Sequence, residues 1–110
     1  METISNPVTG KILEVALKDF PHEMNLEQAI EACKGLGKGW RLPTEDELEI
    51  VHRDLYLKSK VKFKDKKHKD YYWTSSMSPD DFPLTFAFFD GRNYLSDRSL
   101  LNSVRAIREL

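Results

Sequence analysis

A chain of 110 residues with 40% hydrophobic, 32% charged and 11% aromatic residues has the composition of one globular domain spanning 1–110, and excludes a disordered polymer. Its single cysteine, Cys33, excludes an intramolecular disulfide and a cysteine zinc cluster, while the net charge of -1 hides a lysine-rich segment in an otherwise acidic chain. The opening "METISNPVTGKILEVALKDF" lacks the apolar core of a signal peptide and no run approaches the roughly 18 apolar residues of a membrane span, so the chain reads as written as soluble and cytoplasmic.

The first predicted element is a strand over 11–19, "KILEVALKD", where Leu13, Val15 and Leu17 alternate with more polar neighbours. "FPHEM" turns the chain into a helix that begins after Asn25, an N-cap residue three positions before Gln28, with Leu26, Ala29, Ile30 and Cys33 at helical spacing. Gly35 and Gly37 end it by offering the left-handed conformation. A second helix starts within "GWRLPTEDELE" at 39–49: Thr44 caps it, Glu47 completes a capping box, and Glu45 and Asp46 place negative charge at the positive end of the helix dipole. Leu48, Val51 and Leu55 form its inward stripe, with His52 on nearly the same side.

Beyond residue 69 the period changes from helical to alternating. "YYWTSS" at 71–76 reads as a strand, "SPDDFP" as a turn, and "LTFAFF" at 84–89 as a second strand joined through the hairpin signal "DG" at 90–91 to a third, Arg92 to Leu95. A polar loop, "SDRSLLNS", leads to a last strand, "VRAIREL", at 104–110. The order predicts an α+β fold with two helices packed on an antiparallel sheet.

Three pieces of this chain, "GWRLPTEDELE", "YYWTSS" and "FDGR…NSVRAIREL", together resemble the signature of a bacterial C-type-lectin-like domain family, which includes the C-terminal domain of collagen-like adhesins. The resemblance covers roughly residues 24–110, and "WRLPTE" also resembles the formylglycine-generating enzyme family of the same fold. It implies a twisted antiparallel sheet in which the N- and C-terminal strands pair, two flanking helices, and a loop region between the later strands that carries whatever is bound. Family members of this kind are often surface-exposed.

Catalytic and metal chemistry find little support in the residues. An oxidase of the formylglycine-generating type needs a late pair of reactive cysteines, whereas Cys33 lies on the apolar stripe of the first helix and reads as core. The "EPN", "QPD" and "WND" elements of calcium-dependent sugar sites are missing, and Asp80, Asp81, Asp90 and Asp97 fall on turns that favour aspartate for local hydrogen bonds. His22, His52 and His68 have no metal-ligand spacing, and "TSS" lacks the small-residue elbow of a nucleophilic serine. No catalytic residue, cofactor or metal site is assigned. Trp40 and Trp73 read as core, and Arg41 as a brace for the turn through hydrogen bonds or a carboxylate partner.

Two stretches remain as candidate contact surfaces. The region 77–103 offers Arg92, Asn93, Tyr94, Asp97, Arg98 and Asn102, a mixture suited to recognition of a protein or glycan without an obligatory metal. The segment 58–69 holds seven of the 17 basic residues, Lys58, Lys60, Lys62, Lys64, Lys66, Lys67 and Lys69, against one of the 18 acidic ones. It reads either as a solvated, aggregation-blocking edge or as a polyanion contact, with nucleic acid the weakest of the polyanions because no reader module is present. An oligomerising role in a larger bacterial or phage particle is the other expectation.

Overall fold

The first ten residues, to which no element is assigned from sequence, contribute a strand. A computed structural model describes residues 2–58 and 70–110. In it β1 (Glu2–Ser5) pairs antiparallel with β2 (Ile12–Val15), Ile4 opposite Leu13. Asn6 closes the turn: its Oδ1 accepts from the Val8 N–H at 2.9 Å, and its carbonyl accepts from Gly10, whose φ of 74° suits glycine. The predicted strand 11–19 is thus shorter than expected. After Val15 the chain holds its neighbour only at intervals, through Ala16 N–H to the Ala106 carbonyl and Phe20 N–H to the Val104 carbonyl, both 3.0 Å, and Leu17 turns out to solvent.

Helix α1 (Leu26–Lys34) carries the predicted capping box, with Asn25 and Gln28 each satisfying the other's backbone N–H, and it buries Leu26, Ala29 and Cys33. Its end differs from expectation in part. Gly35 keeps right-handed dihedrals, while Gly37, the other glycine expected to end the helix, has a positive φ of 129°, followed by Gly39 with φ 87°. Helix α2 (Glu45–Val51) is capped by Thr44 and Glu47 as the sequence dictates, then widens into a π-helical stretch, His52–Tyr56.

Strands β3 (Tyr71–Met77), β4 (Pro83–Ala87) and β5 (Arg92–Leu95) form a second antiparallel sheet, and β6 (Ile107–Glu109) joins β2 in the first. The N- and C-terminal regions therefore pair, but there are two three-stranded sheets, β1-β2-β6 and β3-β4-β5, where one was expected. A parallel bridge between Tyr72 and Ser103 joins them, with Trp73 N–H to the Ser103 carbonyl at 3.0 Å and Ser103 N–H to the Tyr71 carbonyl at 2.9 Å. The predicted two-residue "DG" hairpin is also replaced. Ala87 pairs with Arg92, so the loop runs over residues 88–91, because Phe88 leaves the strand to stack on His52 and Tyr56 in the core.

Strand β3 organises the interior, since neighbouring residues point to opposite faces and both faces are covered. Tyr72 joins Leu13, Val15, Leu48, Val51, Leu55, Phe86, Phe88 and Ile107 beneath α2. Trp73 joins Leu26, Ala29, Cys33, Leu42, Val104 and Ala106 beneath α1, and its indole N–H donates to the Met24 carbonyl at 2.7 Å. Among the described residues no helix is long and apolar enough to cross a membrane.

Candidate functional site

The "GWRLPTEDELE" stretch is a brace. Arg41 donates two parallel hydrogen bonds to Glu47, at 2.7 and 2.9 Å, while the Glu47 carboxylate also accepts from the Thr44 N–H at 2.8 Å. Burial pushes the Glu47 carboxyl up, but the hydrogen bonds from Arg41 and Thr44 outweigh it and hold the group below its usual range. The same carboxylate raises the Arg41 guanidinium further. The two serines of "TSS" serve this brace: Ser76 Oγ accepts from the Glu45 N–H at 3.0 Å, and the backbone N–H of Ser75 donates to the Pro43 carbonyl at 2.8 Å. Backbone bonds of 2.9 and 3.0 Å between Arg41 and Ile107 fasten the stretch to the C-terminal strand. Trp40 is half-buried, with the Arg108 guanidinium 4.8 Å above its ring.

The six residues expected to form a contact surface do not converge on one point. Arg92 and Asn93 are exposed on β5, and Tyr94 beside them donates its hydroxyl to Asp90, which raises the phenol above its ordinary value. Asp97 is held by its own turn, accepting from the Ser99 N–H at 2.9 Å and hydroxyl at 2.7 Å, which lowers its carboxyl. Arg98 leans away toward α1, where it meets Glu27 at 3.3 Å. Asn102 is buried: its backbone pairs reciprocally with Met24 at 2.9 Å, and its amide reaches Ser96 Oγ at 3.3 Å. Asn102 is therefore a strut rather than a contact residue. Of the turn aspartates, Asp90 accepts from the Arg92 N–H at 3.0 Å and Asp81 adopts φ 64°, both local turn roles.

What these elements do build is a shallow hollow of about 270 Å³ at the β5 end of the second sheet, lined by Tyr71, Thr85, Tyr94, Leu95, Leu100 and Asn102. Tyr71 meets Tyr94 edge to face at 5.2 Å and Phe89 at 6.0 Å. Beside this aromatic group Leu95 and Leu100 line the hollow, 63% and 55% exposed. Sequence reasoning passed over these leucines because an apolar residue in a loop carries no chemical signature.

His52 is a packed histidine. Its Nε2 lies 3.0 Å from the Phe88 carbonyl, its ring stacks on Tyr56 and Phe88, and a Cβ added at Gly91 would sit 3.0 Å from its Cε1. A charged group that the sequence reading overlooked lies at the seam of the sheets. Arg105 Nε meets Asp19 at 2.6 Å, its Nη1 donates to the Ala16 carbonyl at 2.8 Å, and Tyr72 donates to the same aspartate at 2.5 Å. The signal was present: the expected antiparallel closure of 11–19 on 104–110 brings Asp19 alongside Arg105, and a charge inside "VRAI" needs a counter-charge.

Lys58 is exposed, and Lys60, Lys62, Lys64, Lys66, Lys67 and Lys69 lie outside the described residues. No cluster of three or more His, Cys, Asp or Glu suited to a metal occurs among the described residues. No family model and no curated protein matches this chain.

Proposed function

We propose that this chain is a non-enzymatic binding module of C-type-lectin-like fold that contacts a protein through the outer side of β5 and the loop that follows it. The observation that carries the reading is the Tyr71–Tyr94 pair with two largely exposed leucines, Leu95 and Leu100, lining the same hollow, and with Arg92 and Asn93 exposed on the same strand. Rigid aromatics beside aliphatic surface and an arginine are the composition of contact hot spots, and they suit a protein better than a glycan. The fold reading draws support from the paired terminal strands, the two helices and the position of the loop region between the later strands. Binding to a panel of immobilised proteins and glycans, with calcium and with chelator, tests it: a protein partner bound equally in both conditions is expected, and calcium-dependent sugar binding overturns it.

Self-association through the same face is the second reading, favoured by one observation. Among the described residues β5 is an edge strand, with β4 on one side only, and its outer backbone there suits pairing with a strand from another copy. Light scattering over a concentration series separates the two, since a strict monomer removes the assembly role. The lysine-rich segment from Lys58 to Lys69 gives a separate polyanion reading, in which the chain is retained on a heparin-like resin at low salt and released steeply toward physiological salt.

A further inference from the structure

A second concavity, on the opposite flank of β3 from the α2 core, has a different character. It runs along one stripe of α1, where Leu26, Ile30 and Lys34 repeat every fourth residue, and its far wall is Thr74, Ser75 and Met77 of β3. Trp40 and Leu42 close its floor. Its volume is about 310 Å³, at the lower end of the range of roughly 300–1,000 Å³ over which proteins hold small molecules, so it suits a small ligand and not a macromolecular surface.

Its charges have one sign. Lys34, Arg41 and Arg98 line the cleft, and among the described residues no carboxylate does. The positive lining is particular to this cleft, because the larger open hollow beside α2 is lined by Asp46, Glu49 and Asp90 against one cation, Arg53. The three cations differ in availability. Arg41 is committed to Glu47 through two short hydrogen bonds. Arg98 holds Glu27 by one bond of 3.3 Å, and Lys34 approaches Glu31 only to 3.8 Å, in pairs whose members are all more than half exposed. Such pairs contribute little to the fold and exchange readily for another anion. Arg98 stands at the start of α1, where its carbonyl accepts from the Leu26 N–H, and Lys34 ends the helix about 12 Å away at the usual 1.5 Å rise per residue.

We propose that this cleft binds a small organic carboxylate with an aliphatic or aromatic body, the carboxylate taken by the planar fork of Arg98 and the body laid over Ile30, Trp40 and Met77. Arg98 is the anchor, since its guanidinium presents paired donors where Lys34 presents a point charge. Glu27 is the competitor that the ligand displaces.

The test uses three eight-carbon probes that differ only in head group: octanoate, 1-octanol and octylamine. Trp40 lines the cleft and is half-buried, whereas Trp73 is fully buried and does not line it, so a change in indole emission on binding is assigned to Trp40 by its indole NMR shift, and backbone shifts locate the ligand. Octanoate should bind about tenfold more tightly than octanol and octylamine, the factor expected of one charge-assisted contact, with shifts at Ile30, Trp40 and Met77. R98A should bring octanoate down to the octanol level, and E27Q, which frees Arg98, should strengthen octanoate alone by at least about twofold. Equal affinity for the three probes, shifts confined to other surfaces, no saturable binding of octanoate, or an E27Q variant that weakens it would each overturn the proposal. The E27Q and head-group comparisons stand even if R98A folds poorly.

Discussion

Replacing Arg105 by Met is the perturbation from which the fold should suffer most per atom removed. The side chains of Arg105 and Asp19 are 1% and 5% exposed and meet at 2.6 Å, so the pair sits at the seam of the two sheets and away from water. Met keeps the aliphatic length and leaves little cavity, which isolates the electrostatic loss. Removing one member of a buried pair costs about 3–5 kcal/mol, because the remaining carboxylate stays desolvated without the guanidinium, and the Ala16 carbonyl also loses its donor. A domain of this size holds about 5–15 kcal/mol in all, and at about 2 kcal/mol per molar urea the midpoint should fall by about 2 M. Urea unfolding followed by far-UV dichroism and Trp73 emission measures it. The double variant D19N/R105M should recover part of the loss, giving a non-additive cycle. A cost of R105M below about 1 kcal/mol, or strict additivity of the two changes within about 0.5 kcal/mol, refutes the reasoning.

Other outcomes follow from the same geometry. The Glu47 carboxyl is depressed in the fold, so its stabilisation is complete above the unfolded glutamate value of about 4.3 and fades as pH falls through its lower folded value. E47Q should therefore cost about 1–2 kcal/mol at pH 7 and flatten the acid limb of the stability profile, as thermal melts from pH 2 to 7 would show. Gly91 has φ 69°, and an added Cβ meets the His52 ring at 3.0 Å, so G91A should lower stability by about 1–2 kcal/mol from the dihedral alone and further from the ring. In an H52A background only the dihedral part should persist. Burial pushes the Cys33 thiol up to about 11, so at pH 8 it should react with a disulfide reagent only after urea unfolding.

What was legible in the sequence was local. The capping boxes at Asn25–Gln28 and Thr44–Glu47 each lie within one turn, and Arg41 stands six residues from the carboxylate it pairs with, so both helices and the brace could be read directly. β1 escaped notice because "ETIS" holds a single apolar residue, Ile4, and becomes a strand only through its register with β2. The end of β4 was misplaced for a tertiary reason: Phe88 continues the alternation in sequence, yet His52 and Tyr56 of the π-helical stretch draw it inward. The candidate site was half legible. Arg92 is exposed and Tyr94 partly so, but Asn102 is buried against Met24 and Arg98, though exposed, leans to Glu27, partners 78 and 71 residues away that no local pattern announces.

The central claim is that the outer side of β5 makes the contact, and the most direct measurement is partner affinity for the triple variant R92A/Y94A/L95A beside the native chain. With unfolding midpoints unchanged, the variant should bind the partner found by the protein panel at least about tenfold more weakly, since each truncated anchor of this type costs upward of 1 kcal/mol. Binding at native affinity by a folded triple variant would contradict the account.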